Sequence, residues 1–338
     1  MIPPDGLSRA QGCFLGQCAG DALGQMVEFR TKSMITDQYP DGVRDMENGG
    51  TFNTLAGQPT DDTEMALMLA RSLAQEGKYD AGKVFNAYKY WYNSKPFDCG
   101  GTIGSALGIG LLNEDSQANG SLMRISPLGI FGSRFPLKLV ADWAMQDARL
   151  THPNIVCRKS AAVYTTAIAE AVRTGLSPRE LYDNALRRSK QKLYYEKSVT
   201  ETLERAESEV PGNFSIQSGW VLLAFQNAFY RLLHSADTER AVIETVGEGG
   251  DTDTNGAICG ALLGAVYGVD SIPSRWQKVI LNCRPAADNP EAVHPRPKCF
   301  WPVDVLKLAG RLLLAQNQSE QQRGTLETET SADYTCCD

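Results

Sequence analysis

The segment GCFLGQCAGDALG, residues 12–24, has a glycine at every fourth position, and the segment GAICGALLGAVYG, residues 256–268, repeats that spacing. Glycine inside a helix costs roughly 1 kcal/mol relative to alanine, so four glycines in register require a compensating gain. Residues four apart lie on one helix face, and glycines there leave a flat groove that a second backbone can approach closely. The spacing therefore predicts two helices that pack together in the core and bring the loops at their ends to one place.

Helical periodicity also dominates the rest of the chain, and no alternating apolar run bounded by hairpin turns indicates a strand. Apolar residues recur three and four positions apart in 65–74, 84–92, 137–149, 157–173, 220–233, 257–268 and 303–315. Segments rich in Gly, Pro and Asn predict loops at 40–60, 93–104, 113–121, 210–218, 247–256 and 284–297. We expect an all-α, compact single-domain helical bundle over residues 1–315, with long loops that line a cleft, and a polar disordered tail over 316–338.

Bulk composition excludes several classes of protein. The chain has 338 residues, of which 42% are hydrophobic and 22% charged, as in ordinary soluble globular proteins. A net charge of −7 argues against non-specific binding to nucleic acid or to anionic membranes, because both require a basic surface. No apolar run is long enough to span a membrane, and the N-terminal residues lack the order of a signal peptide. Nine cysteines without a C-x-x-C pair predict free thiols in a reducing compartment, so we expect a cytoplasmic protein.

A first acid cluster lies in PTDDTE, residues 59–64. Thr60 is a favourable N-cap residue, so Asp61 and Asp62 are predicted to be the first residues of a helix. Acids in a first turn complement the helix dipole by about 0.3–1 kcal/mol each, and that effect alone would account for this cluster.

A second acid cluster, in EGGDTDTNGAICG at residues 248–260, changes that interpretation. Asp-x-Asp after Gly-Gly predicts an extended, turn-like segment in which Asp251 and Asp253 can face the same way, with Thr254 as the helix cap. Four carboxylates that converge without a cation would repel one another, and divalent ions would remove that repulsion. Carboxylate and hydroxyl oxygens suit hard cations, whereas zinc is disfavoured because none of the three histidines lies near either cluster in sequence.

Five motifs in this order closely resemble the ADP-ribosylglycohydrolase family: GDALGQMVEF (20–29), PTDDTEMAL (59–67), NGSLMRISPLGIF (119–131), LTHP (150–153) and EGGDTDTNGAICGALLGA (248–265). The family includes the glycohydrolase that reactivates ADP-ribosylated dinitrogenase reductase and the eukaryotic ADP-ribosyl-acceptor hydrolases. The resemblance extends from about residue 9 to about residue 310. It implies a compact all-α protein with a binuclear Mg²⁺ or Mn²⁺ centre on the floor of a cleft.

The resemblance also implies roles for individual residues. The implied metal ligands are Thr60, Asp61, Asp62, Asp251, Asp253 and Thr254. The implied catalytic residues are Glu28 and Asp98, either of which would move the proton. The implied substrate-binding residues are Gly100, Gly101, Asn119, Gly120, Ser121 and His152.

Some of these positions have a second interpretation. From sequence alone, His152 is more typical of a cap or a satisfied buried group, and Arg124 fits a structural ion pair as well as a ligand contact. Asp21, the polar residue on the first glycine-rich helix, is expected to orient ligands or anchor the helix rather than take part in the chemistry.

The function implied by the resemblance is metal-dependent hydrolysis of the glycosidic bond between ADP-ribose and an acceptor, in an ADP-ribosylated protein or small molecule. One alternative is a non-catalytic ADP-ribose-binding or structural, crystallin-like member of the family. Another is a two-metal phosphoester hydrolase, since such sites suit phosphoryl chemistry. The sequence does not determine the acceptor, which could be arginine, serine, a nucleic-acid base or a small molecule. Specificity is expected to come from the segments 93–104, 188–218 and 284–300.

Overall fold

The computed structural model describes residues 5–314, which form fifteen α-helices and no β-sheet. The helices are α1 (Gly6–Gly24), α2 (Lys32–Gln38), α3 (Asp61–Glu76), α4 (Ala81–Asn93), α5 (Gly101–Gly108), α6 (Ser126–Gly132), α7 (Leu137–Arg149), α8 (Ile155–Thr174), α9 (Pro178–Ser189), α10 (Lys197–Arg205), α11 (Val221–His234), α12 (Thr238–Val246), α13 (Thr252–Tyr267), α14 (Ser274–Asn282) and α15 (Val305–Leu314). Short 3₁₀ turns lie at Asn119–Ser121, Val269–Ser271, Lys298–Phe300 and Pro302–Asp304. The predicted all-α class is confirmed, while the tail predicted over 316–338 lies outside the described residues.

The two glycine-rich helices, α1 and α13, pack against each other in the centre of the fold. A Cβ atom added to Gly16 would lie 2.2 Å from the carbonyl oxygen of Gly260, and one added to Gly20 would lie 1.9 Å from that of Gly256. Both distances are well inside van der Waals contact, so only glycine permits this approach. Residue numbers rise along α1 as they fall along α13, so the helices are antiparallel. The close packing predicted from the glycine spacing is confirmed.

This pairing places the end of α1 beside the start of α13. The Thr252 hydroxyl donates a hydrogen bond of 2.6 Å to the carbonyl oxygen of Gly24. The loops that follow α1 and precede α13 are joined by backbone hydrogen bonds, from Phe29 N to Gly250 O (2.7 Å) and from Gly250 N to Arg30 O (2.9 Å). The functional loops of the first and last thirds of the chain therefore meet at one end of this helix pair.

The seven segments with helical periodicity correspond to α3, α4, α7, α8, α11, α13 and α15. Two predicted loops are too long, because α5 begins at Gly101 inside 93–104 and α13 begins at Thr252 inside 247–256. Helices α2, α5, α6, α9, α10, α12 and α14 were not predicted from periodicity. Each spans twelve residues or fewer, so its apolar pattern covers too few turns to stand out.

Two further observations concern cysteines and membranes. The seven cysteines between residues 5 and 314 are all free, and six of them are buried. Cys336 and Cys337 lie outside the described residues. In the part of the chain that the structure describes, none of the helices is long and apolar enough to cross a membrane. The cytoplasmic location stays a prediction.

Candidate active site

The first acid cluster begins α3, with Asp61 and Asp62 as its first two residues, as predicted. Thr60 occupies the N-cap position, as predicted, although its side chain makes no capping hydrogen bond. The cap is supplied by Asp21 of α1, whose carboxylate accepts from Thr60 N and from Thr63 N, each at 3.1 Å. A side chain from a distant helix therefore fixes the start of α3 and the direction of its acids.

The second cluster is more helical than the sequence suggests. α13 starts directly after its N-cap residue Asp251, so Asp253 and Thr254 lie in the first helical turn. The expected extended Asp-x-Asp segment, with Thr254 as the cap, is therefore wrong. The chain reverses earlier, at Gly250 and its preceding glycine, which both have positive φ angles. A helical first turn brings the two carboxylates to the helix end, where Asp253 Oδ1 accepts from Thr254 N at 2.8 Å.

The two acid clusters are in direct contact. The Thr254 hydroxyl donates to Asp62 Oδ2 at 3.3 Å, although 192 positions separate the two residues. Glu28, Asp251 and Asp253 place one carboxylate oxygen each within 4.8 Å of one another. The aspartates near position 61 and those near position 252 are therefore neighbours, as the metal-centre hypothesis requires.

Burial and mutual repulsion raise the pKa values of these carboxyl groups. Burial, followed by the charges of Asp98 and Asp251, raises the pKa of Glu28 to about 9. Burial first, and then Asp21 and Asp251, raise the pKa of Asp98 to about 6. The pKa values of Asp61, Asp62 and Asp253 are also raised well above the ordinary aspartate value, by burial and then by neighbouring carboxylates. Unless a cation binds beside them, these carboxyl groups tend to hold protons rather than to be fully ionised.

The cluster has the donor set and the missing charge that hard divalent cations supply. Asp62 Oδ1 and Glu28 Oε2 are buried and have no hydrogen-bond partner, which is costly unless something else binds them. No lysine or arginine is among the largest influences on the pKa values of Asp61, Asp62 and Asp253. A cation beside these oxygens would reverse the electrostatic cost, because an ion's charge dominates the pKa of nearby groups. The residues therefore fit Mg²⁺ or Mn²⁺ ions.

A cleft of about 300 Å³ opens above this cluster. Most of the predicted site residues line it, namely Glu28, Asp61, Asp98, Gly100, Gly101, Asn119, Gly120, His152, Asp251, Asp253 and Thr254. Three predicted residues do not line the cleft: Thr60, Asp62 and Ser121 are buried behind its wall. Asp62 and Thr60 still belong to the acid cluster through their hydrogen bonds, whereas the Ser121 hydroxyl is buried without a partner.

The glycine loop after Asp98 holds one of the acids. Gly100 N donates to Asp61 Oδ2 at 3.2 Å. A Cβ atom added to Gly100 or Gly101 would meet nothing within 4 Å, so these glycines face open space rather than a packed neighbour. Thr102 also lines the cleft and shares a hydrogen bond of 2.9 Å with Ser116. The space in front of the glycines is available to a ligand, and their binding role stays a prediction.

Asn119 and Gly120 form the opposite wall. The Asn119 side-chain amide donates to Asp251 Oδ2 at 2.7 Å, so it orients one of the acids in the absence of ligand. The Asn119 backbone N–H donates to the carbonyl oxygen of Gly219 at 2.9 Å, which ties this turn to the segment before α11. Gly120 leaves room for His152, because a Cβ atom there would lie 3.0 Å from the imidazole Cε1.

His152 and Arg124 are both fully buried, and they differ in their partners. Burial, with the charge of Arg124, lowers the pKa of His152 to about 3, so the imidazole is neutral near pH 7. Its Nδ1 lies 2.8 Å from the Thr151 hydroxyl, and its Nε2 has no partner. Arg124 binds Asp147, with Nε 3.2 Å from Oδ1. Arg124 is therefore a structural ion-pair partner, while the Nε2 of His152 is buried without a partner, and the binding role of His152 stays a prediction.

Several cleft residues were not identified from the sequence. They are Phe29, Ile103, Ala118, Met123, Ser218 and Gly219, although Ile103 and Ser218 lie in segments from which specificity was expected. Phe29 is 67% exposed at a positive φ of 62°, directly after Glu28, so an aromatic ring stands beside the acids without packing into the core. Its position after Glu28 in the motif MVEF is the signal that could have found it. Ser218 and Gly219 lie in a polar loop, and no residue pattern marks them.

Comparison with known proteins agrees with this geometry. The family model described as ADP-ribosylglycohydrolase matches residues 3–321. An ADP-ribosyl-dinitrogen-reductase glycohydrolase of Rhodospirillum rubrum is 33% identical over 285 residues, which cover 82% of this chain and 91% of that protein. An ADP-ribosylarginine hydrolase of Pseudomonas putida is 29% identical over 307 residues, which cover 82% of this chain and 75% of that protein. A solved structure described as an ADP-ribosylglycohydrolase-related protein complex superposes with a TM-score of 0.74 at 27% identity, covering 92% of this chain and 99% of that one.

Proposed function

This chain belongs to the ADP-ribosylglycohydrolase family and is a hydrolase of that type, and from that premise we propose that it uses two divalent cations, Mg²⁺ or Mn²⁺, to hydrolyse the bond between ADP-ribose and an acceptor. The proposed ligands are Thr60, Asp61, Asp62, Asp251, Asp253 and Thr254. The observation that carries the proposal is the contact between Thr254 and Asp62, because it joins the two acid clusters into one oxygen-rich centre.

When bound, the cations would supply Lewis-acid chemistry, orienting the ribose hydroxyls and lowering the pKa of a coordinated water. The residues of the chain would then bind the sugar and move protons. Glu28 is the stronger candidate for taking a proton from water, because it lies within 4.8 Å of Asp251 and Asp253 through its nearest oxygens and its Oε2 has no partner. Asp98, which also lines the cleft and acts electrostatically on Glu28, would assist departure of the acceptor.

The binding residues divide between the two walls of the cleft. We propose that the backbone of Gly100 and Gly101 approaches the ribose next to the scissile bond, since open space lies in front of both glycines. Asn119 and Gly120 would bind phosphate or ribose oxygens, and His152 would accept or donate one hydrogen bond through its free Nε2. Ser121 would contribute its backbone rather than its buried hydroxyl.

The substrate is proposed to be an ADP-ribosylated protein or an ADP-ribosylated small molecule. The names of the relatives specify dinitrogen reductase and arginine, so an arginine-linked substrate is the first to test. Apart from the family match, an oxygen-rich two-metal site would also suit a phosphoester hydrolase. A crystallin-like, non-catalytic role is disfavoured because the acids implied as metal ligands are all present and grouped together.

The test is release of free ADP-ribose from a panel of acceptors: an arginine-linked peptide, a serine-linked peptide, an ADP-ribosylated nucleic-acid base and O-acetyl-ADP-ribose. At least one should be hydrolysed with Mg²⁺ or Mn²⁺, the activity should disappear in chelator, and added metal should restore it. A generic phosphoester assayed in parallel should remain intact. Turnover that persists after exhaustive metal removal would contradict the proposal.

Two conservative variants separate the proton-moving roles. Glu28→Gln should lower kcat by about 100-fold or more for every substrate, because a general base contributes about 10²–10⁴-fold. Asp98→Asn should affect substrates with poor leaving groups most, since a good leaving group needs no proton. If the two variants lose activity equally across leaving groups, this division of roles is wrong.

A further inference from the structure

We propose that a second cavity, on a different face of α3 from the cleft, is a binding site for a small ligand that carries two or more phosphate groups. We call it the basic groove and define it by Arg71, Arg284, Lys298, Trp301, Asp304 and Arg311, which line a space of about 700 Å³. It shares no lining residue with the catalytic cleft. Its volume lies within the roughly 300–1,000 Å³ that is typical of small-molecule sites.

The charge of the basic groove is the first reason for this assignment. Four of its residues are cations and one, Asp304, is an acid, in a chain whose net charge is −7. Arg71 is already used: Nη1 and Nη2 each lie 2.9 Å from an oxygen of Asp304, and Nε donates to Cys299 O at 3.0 Å. This pair neutralises itself and forms a rigid floor.

The remaining three cations form no ion pair with any acid of residues 5–314. Within residues 5–314, Arg284 donates only to the carbonyl oxygen of Asn282, at 2.9 Å, and neither Lys298 nor Arg311 forms an ion pair. Three unpaired positive charges around one concavity repel one another, and an anion would remove that cost. Arginine binds phosphate through paired N–H groups, and lysine adds a point charge, so a ligand with several phosphate oxygens matches this set.

The wall of the groove gives the second reason. The Trp301 ring is held by a hydrogen bond of 2.7 Å from its Nε1 to the carbonyl oxygen of Arg296. Ala74 and Val303 add apolar surface beside it. Fixed apolar surface next to unpaired cations suits a ligand with an uncharged part attached to its phosphates, as in a nucleoside diphosphate, although the phosphates alone would satisfy the charges.

The test is isothermal titration calorimetry of the full chain with inorganic pyrophosphate and, separately, with ADP, in chelator so that the catalytic cleft holds no cation. Arg284→Gln, Lys298→Gln and Arg311→Gln should each weaken pyrophosphate binding about tenfold or more, because each removes a charge-assisted hydrogen bond to phosphate. The three side chains are exposed, so the variants should fold. Lys307→Gln, which removes an exposed lysine of α15 outside the groove, is the matched control and should bind as the parent does.

The outcomes separate this site from the catalytic cleft. Asp253→Ala should leave pyrophosphate affinity unchanged, so loss of hydrolysis would not affect the conclusion. Tighter binding of ADP than of pyrophosphate would identify a nucleotide ligand, and equal affinity would identify the phosphates as the whole recognition element; both support the site. Absence of binding, an equal loss in Lys307→Gln, or a loss confined to Asp253→Ala would overturn the proposal.

Discussion

Asp61, Asp62 and Glu64 lie in the first turn of α3 and are all buried, but a cation from the chain itself accompanies only Glu64. Arg296 binds Glu64 through two bonds of 2.8 Å, from Nε to Oε1 and from Nη2 to Oε2. Trp91 Nε1 adds a third, also of 2.8 Å. The two aspartates, in the same turn, are surrounded by hydroxyls, a backbone N–H and other carboxylates.

Asp147 repeats the arrangement of Glu64. It is fully buried, and it is bound by Arg124 and by the Tyr88 hydroxyl at 3.0 Å. Burial raises the pKa of Glu64 and of Asp147 as well, so the direction of the pKa does not distinguish the two kinds of acid. The partners do. The acids that hold the fold together have an arginine from the chain, whereas the acids of the site have none, and under the proposed function divalent ions would balance their charge.

The largest expected effect is on activity. Loss of a residue that only supports a metal ligand lowers activity by about 10–100-fold. Asp253→Asn, which changes a proposed ligand itself, should reduce the rate of hydrolysis by more than that. In chelator, however, its free energy of unfolding should be unchanged or higher, because one buried carboxyl group that is costly to ionise is gone. Activity assays and urea denaturation of the same preparation measure both effects.

Asp270→Asn is the control for that variant. Asp270 is exposed just beyond the end of α13, so the same charge is removed far from the cleft. Activity and stability should both stay at the parent level. If Asp253→Asn instead lowers the free energy of unfolding of the metal-free protein by a large amount, Asp253 is a structural acid and the distinction between the two groups of acids is wrong.

The next largest effect is on stability. Arg296→Met leaves Glu64 buried without its cation, and breaking one side of a buried pair costs about 3–5 kcal/mol. The urea midpoint should fall accordingly, while Arg284→Met, an exposed arginine of the same loop, should change stability by no more than about 0.5 kcal/mol. The double variant Glu64→Gln, Arg296→Met should recover part of the loss. If the single variant is as stable as the parent, the pair is not structural.

The pH dependence of the metal-free protein should show the unbalanced charge directly. Glu28 has a folded pKa of about 9, above its ordinary value of 4.5, so the folded state holds a proton that the unfolded state has released. Stability then falls as the pH rises through that interval. Between pH 6 and pH 8 in chelator the free energy of unfolding should fall, by at most about 2 to 3 kcal/mol for one such group. Saturating Mg²⁺ should remove most of this slope, and an equal slope with and without Mg²⁺ would argue against cations at the cluster.

The smallest expected effect concerns Asp21, which is intermediate between the two groups of acids. It is buried and bound by backbone N–H groups rather than by a cation. Asp21→Asn should cost about 1 kcal/mol, as loss of a helix cap does, and weaken Mn²⁺ binding by about 10–100-fold, because the start of α3 shifts. Asp80→Ala is the matched control, since Asp80 caps α4 by accepting from Gly82 N and Lys83 N and alanine removes that cap. The Asp80 variant should lose a similar amount of stability, while its Mn²⁺ affinity, measured by calorimetry, should be unchanged. If both variants lose Mn²⁺ affinity equally, Asp21 has no special role in orienting the proposed ligands.

The sequence by itself determined the contact between α1 and α13, because the absence of a Cβ at every fourth position is a local property that a helix converts into a flat face. It also determined the long helices and placed two acid-rich segments at helix starts, where loops meet. The proposed metal ligands follow from these features together with the resemblance of the motifs in which they lie. The close packing at Gly16 and Gly20 confirms that the glycine spacing alone is enough to predict this helix contact.

Only the tertiary structure decided which neighbouring acid received a cation and which did not. Arg296 is 232 positions from Glu64, in a loop that has no periodic pattern, and Asp21 reaches α3 from a different helix. The short helices and the basic groove depend in the same way on residues brought together from distant segments. Such contacts are set by where loops leave one helix and join the next, and the energies that fix those paths come from packing across the whole core rather than from any local run of residues.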